Sequence, residues 1–160
     1  GIFIESAALS GLHCTQKNDN PVTQGSGFSL AEICVSPTEI YYTGIDRPDV
    51  VICVSNEGAR ELGEKGLFSR LTPSTTLILD SSLEKPETAA ELYRLPLRSL
   101  CGGEKAAAAA LAFYLQLSKI FPFPAFDDLL KQKYKNDRGI FPDQFYAAIR
   151  NMEYVPVGAG

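Results

Sequence analysis

Few residues in this sequence are both of the right type and in the right place to do chemistry unaided. A serine or cysteine nucleophile needs a base, and the chain has one histidine, His13. It opens a short alternating segment with no recognisable partner, which reads as a structural role. There is no Gly-x-Ser-x-Gly elbow. Cys14, Cys34, Cys53 and Cys101 lack the short spacing of iron–sulfur or zinc ligands. Cys34 and Cys53 sit in apolar runs, where a thiol behaves as a small hydrophobe. Gly25-Ser26-Gly27-Phe28 begins like a dinucleotide fingerprint, but the third glycine is missing and a strand follows instead of a helix. Asp127 and Asp128 point to different helix faces and read as solvated. Three places remain. Asp80 closes a buried strand, Ser55 and Asn56 follow another, and Gly25-Ser26-Gly27 is a turn of small residues that either simply feeds the next strand or lets a ligand approach the backbone closely. Ligands of open α/β sheets gather at the C-terminal strand ends, which makes Asp80, Ser55 and Asn56 candidates. Each also has a plainer reading. Asp80 before Ser81-Ser82 can cap a turn, and Ser55-Asn56 can cap a helix.

The elements that must hold these residues follow from periodicity. Ile2 to Leu9 has helical spacing and Gly11 ends it. His13 to Lys17 and Phe28 to Ser36 read as strands, with a loop between them and Pro37 as a stop. Glu39 to Tyr42 reads as a short edge segment. Val50-Val51-Ile52-Cys53-Val54 is β-branched without polar alternation, the mark of a strand covered on both faces. Glu57 to Glu64 is the helix that Ser55-Asn56 would cap, and Gly66 closes it. Thr75 to Leu79 is a second buried strand. Leu92 to Leu97 is a third, edge-like because of Pro96. Glu104 to Phe121 is alanine-rich and apolar nearly all round, so a deeply buried helix is expected. Phe126 to Tyr134 is amphipathic. Pro142 suits the first turn of a last helix that buries Phe145, Ala148, Ile149 and Met152. The architecture expected is a three-layer α/β/α sandwich with a largely parallel or mixed central sheet, one domain over residues 1–160.

Composition narrows the function classes. The chain has 160 residues, 45% of them hydrophobic and 21% charged, which is ordinary for one globular domain. Its net charge is −4. The densest basic stretch, Lys131, Lys133, Lys135 and Arg138, is broken by Asp137 and reads as a solvated helix face, so no nucleic-acid partner is expected. The longest apolar run, Ala106 to Leu115, is too short to span a bilayer, and no basic leader precedes an apolar core. A cytoplasmic setting with reduced cysteines is expected.

Several segments, in order, resemble the gamma component of 2-oxoacid:ferredoxin oxidoreductases, the group acting on pyruvate, 2-oxoglutarate and ketoisovalerate. They are Ser10-Gly11-Leu12-His13-Cys14-Thr15-Gln16-Lys17, Asn20-Pro21-Val22-Thr23-Gln24-Gly25-Ser26-Gly27, Ala31 to Ser36, Pro48 to Ser55, and Leu77-Ile78-Leu79-Asp80. The alanine-rich helix and the closing Phe126-to-Tyr154 stretch are similar too. The resemblance implies the fold of domain III of pyruvate:ferredoxin oxidoreductase. It also implies a subunit that is inactive alone and helps form the substrate and coenzyme A side of an active site. In that family alpha, beta and delta-type subunits hold thiamine diphosphate and iron–sulfur clusters, and electrons pass to ferredoxin or flavodoxin. The resemblance makes Thr23, Gln24, Gly25, Ser26 and Gly27 the ligand-facing loop, with Ser55 and Asn56 as second candidates. Two departures stand out. The family opens with a strand and a Gly-x-Gly-Gly-Gln-Gly loop, of which Gly1 alone is present, so that opening is expected to be missing here. The family's Arg-Gly-Gly is replaced by Gln24-Gly25-Ser26-Gly27, and glutamine cannot replace the arginine charge. The alternative is a non-catalytic binding or assembly module on the same fold. Separately, a homodimer is an expectation for the chain when isolated.

Overall fold

The computed structural model describes residues 2–19, 30–40, 47–134 and 141–150. Helix α1 (Ile2–Leu9) leads to β1 (His13–Asp19) through Gly11, whose φ of 86° is in the left-handed region that glycine adopts without strain. β1 pairs antiparallel with β2 (Leu30–Ser36), with Cys14 opposite Val35 and Gln16 opposite Ile33. One face of this ribbon packs Cys14, Ile33 and Val35 onto the core below α1. Residues 39 and 40 form no strand, and Tyr41 and Tyr42 lie outside the described residues.

The main sheet is parallel, in the order β3 (Val50–Cys53), β4 (Thr76–Asp80), β5 (Glu91–Leu95). The β-branched run of β3 reflects its place between two helical layers. On one side Val51, Cys53, Leu77, Leu79 and Leu92 pack with Leu62 of α2 (Asn56–Glu64) and Phe68 of α3 (Leu67–Arg70). On the other, Ile78, Tyr93 and Leu95 pack against α5 (Ala106–Ser118), with α1 and α6 (Phe123–Lys133) completing the layer. This is the expected α/β fold in three layers. The sheet differs in one respect: among the described residues β1 and β2 pair with each other and form a separate two-stranded sheet.

The buried face of α5 is built largely from Ala106, Ala109, Ala110 and Ala112, each 0% exposed, with Phe113 and Leu115. Side chains this small bring the helix axis close to the sheet, where any added methylene must displace a neighbour. The helix is not buried all round: Ala107 and Leu117 are exposed. Lys119 ends it at φ 54°, an uncommon left-handed conformation for a side-chain-bearing residue. α6 begins three residues before the expected Phe126, with Pro122 preceding it and Pro124 in its first turn. Phe3 of α1 meets Phe121 and Phe126, at centroid distances of 5.2 and 5.8 Å, which joins α1 to α6. α7 (Asp143–Arg150) starts just after Pro142, whose carbonyl accepts from the Phe145 and Tyr146 N–H groups. Phe145 is buried as expected, while the side chains of Ala148 and Ile149, and Met152, lie outside the described residues.

Further departures from the pattern reading lie at the end of the third strand and after Gly66. The third strand stops at Leu95 and not at Leu97. Pro96 turns the chain into a short helix, α4 (Leu97–Cys101), that periodicity could not reveal in five residues. α3 is a single turn, entered from Gly66 at φ 69°.

Candidate functional site at the C-terminal edge of the parallel sheet

All three parallel strands deliver their C-terminal ends to one edge. After β3 the chain reaches Ser55 with extended φ and ψ of −137° and 152°, and its Oγ accepts from Gly58 N–H at 3.0 Å. Ser55 is therefore the N-cap of α2. Asn56 is the first helical residue and is exposed at the edge.

β4 ends at Asp80, 1% exposed and one of few buried polar side chains. Its Oδ2 accepts from Ser82 N–H at 3.0 Å and from the Ser82 hydroxyl, and its Oδ1 accepts from Arg98 N–H at 2.8 Å. Burial alone would raise its pKa. The Ser82 hydroxyl, the Arg98 and Ser82 backbone N–H groups and the Arg98 charge outweigh burial and hold the carboxyl below its ordinary value. Asp80 is thus an ionised cap on two structures at once, the turn after β4 and the start of α4. Of its two sequence readings, the cap is the one the structure realises.

β5 delivers Arg98, which sequence reasoning did not single out. Its Nη1 donates to the Val54 carbonyl at 3.1 Å, and its guanidinium lies against Gly103. The signal available in the sequence was an arginine just past a strand end, followed by Gly102-Gly103. Arg94, inside β5, reaches the other way and donates to the Ser81 and Leu83 carbonyls at 2.9 and 2.6 Å. That ties down the long β4–β5 connection, whose Leu83 is buried in the core.

The structure brings Ser55, Asn56, Asp80 and Arg98 to one edge. Thr23, Gln24, Gly25, Ser26 and Gly27, in the segment joining β1 to β2, lie outside the described residues. His13 is exposed on β1 opposite Ser36, away from this edge. Asp127 corrects the sequence reading: its side chain is 15% exposed, and it pairs with Lys131 at 2.7 Å. Asp128 and the Lys131 and Lys133 side chains are exposed, as read. The cysteines are free and dispersed over β1, β2, β3 and α4. Among the described residues no three His, Cys, Asp or Glu side chains converge to hold a metal ion. Burial pushes the Cys53 thiol up and the Cys101 thiol up to about 11, which favours the protonated thiol at both. Among the described residues no helix is long and apolar enough to cross a membrane.

No curated protein sequence matches the chain. The family model for pyruvate ferredoxin/flavodoxin oxidoreductase matches residues 1–154, nearly the whole chain, and the chain belongs to that family.

Proposed function

We propose that this chain is the gamma component of a 2-oxoacid:ferredoxin oxidoreductase, shaping the substrate and coenzyme A side of the active site and binding the catalytic subunits. The observation that carries this reading is the family match over residues 1–154. The complex decarboxylates a 2-oxoacid oxidatively, and coenzyme A supplies the thiol that takes up the acyl group. Thiamine diphosphate and the iron–sulfur clusters belong to alpha, beta and delta-type partner subunits in this reading.

The chain's own part is positional. The C-terminal edge of the sheet, with Ser55, Asn56 and Arg98, faces the ligand, and so does the Thr23–Gly27 loop. Asp80 fixes that edge from below by holding the Arg98 backbone. Reconstitution of the complex with and without this chain tests the reading. The expected result is loss of 2-oxoacid- and coenzyme A-dependent methyl viologen reduction when the chain is omitted. Unchanged assembly mass and unchanged turnover without it would contradict the proposal and favour a non-catalytic module.

A further inference from the structure

Arg98 touches the ends of both other parallel strands from its place one residue into α4. Its backbone N–H is held by Asp80 at the end of β4, and its Nη1 donates to the Val54 carbonyl just past β3. The Asp80 oxygens accept from the Arg98 backbone and from Ser82, not from the guanidinium. The buried carboxylate therefore fixes the main chain of Arg98 and leaves its fork to the edge. A Cβ at Gly103 would stand 3.1 Å from Nη2, 3.4 Å from Cζ and 3.7 Å from Nη1, so the bare glycine provides the room that the guanidinium plane occupies. Arg98 is exposed all the same. A guanidinium carries five N–H donors in a rigid fork, and among the described residues the Val54 carbonyl is its acceptor. A fork anchored at one nitrogen loses less freedom when it takes a second partner.

We propose that Arg98 is the anion-binding residue of this edge, presenting its guanidinium to a phosphate or carboxylate oxygen of a ligand lying over the ends of β3 and β4 beside Ser55. The inference rests on the functional reading above and deepens it, because coenzyme A carries phosphates and a 2-oxoacid carries a carboxylate. Both are groups that an arginine fork binds well.

The test uses the full chain and two probes, adenosine 3′,5′-bisphosphate and pyruvate, with affinity read by calorimetry and melting temperature read alongside. The KM of the reconstituted complex for each ligand is a further readout. Arg98→Gln is expected to weaken one probe roughly 10- to 100-fold, the loss of a charge-assisted hydrogen bond. Gly103→Ala keeps the charge but displaces the fork, and is expected to weaken the same probe severalfold at nearly unchanged melting temperature. Loss of the bisphosphate identifies a phosphate ligand, and loss of pyruvate a carboxylate. In the complex the matching KM rises while kcat is kept. If Arg98→Gln does not fold, Arg98→Lys and Gly103→Ala decide. Lower melting temperature with both affinities and both KM values unchanged overturns the proposal and leaves Arg98 a structural staple. Failure of the wild-type chain to bind either probe, with both KM values indifferent to Arg98, overturns it too. A complex without 2-oxoacid turnover bears on the functional reading alone, since probe binding is read on the chain itself.

Discussion

Asp80 is the residue whose replacement tests the fold of the edge most sharply. Asp80→Ala removes the acceptor of three hydrogen bonds from a site that is 1% exposed. Each bond to an ionised group contributes roughly 1.5–3 kcal/mol net. Ser82 is exposed, so water can replace most of what its two donors lose. The Arg98 N–H at the start of α4 loses a cap as well as a charge partner, and such a cap contributes about 1 kcal/mol. The expected cost at pH 7 is about 3 kcal/mol, which for a domain of this size is a drop of about 6–12 °C in melting temperature. Asp80→Asn keeps one oxygen but turns an amide N–H₂ toward an N–H donor, and should cost about 2 kcal/mol. The pH dependence has a definite sign. The folded pKa lies below the unfolded value of about 3.9, so the contribution is present above that value and is lost as pH falls through the folded one. The gap between wild type and Asp80→Asn should therefore narrow below about pH 4. Urea and thermal unfolding followed by circular dichroism at pH 7 and across the acid range measure both effects. A gap under about 1 °C at pH 7, or one that widens on acidification, would refute the reasoning.

Other outcomes follow from the packing. Phe126→Ala, at a 1% exposed ring in edge contact with Phe3, should cost about 3–5 kcal/mol in urea unfolding and loosen α1 from α6. Ala110→Leu should destabilise by at least about 1–3 kcal/mol, because α5 meets the sheet through residues with no exposed surface. Ser55→Ala removes the α2 cap and should cost about 1 kcal/mol, with Ser55→Thr close to wild type. Cys53 and Cys101 should resist iodoacetamide at pH 8 in the native chain and react in urea, read by mass spectrometry. Prompt native modification of Cys101 would show that its thiol is not held in its protonated form.

Much of the fold was legible because its signals are local. α1 falls where the spacing of Ile2, Phe3, Ala7 and Ala8 put it, and the three parallel strands fall on the three apolar runs. α4 was hidden because five residues cannot display a period, and its cap comes from Asp80, eighteen positions earlier. A cap reached through tertiary structure leaves no mark in the neighbouring sequence. The same reason explains the candidate site. Ser55 could be read as a cap from its place before a helix, whereas Arg98 becomes notable only when Val54 and Gly103 are brought beside it. The reading of Asp127 as solvated failed because it considered the faces of α6 alone, whereas the largely buried carboxylate also lies within electrostatic reach of Tyr146 of α7.

The most direct test of the account is affinity purification from the native source with a tag on this chain, followed by methyl viologen reduction on a panel of 2-oxoacids with coenzyme A. Thiamine- and cluster-bearing subunits are expected to come down with the chain, and one 2-oxoacid is expected to support coenzyme A-dependent reduction. Recovery of the chain alone, without turnover on any acid in the panel, would contradict it.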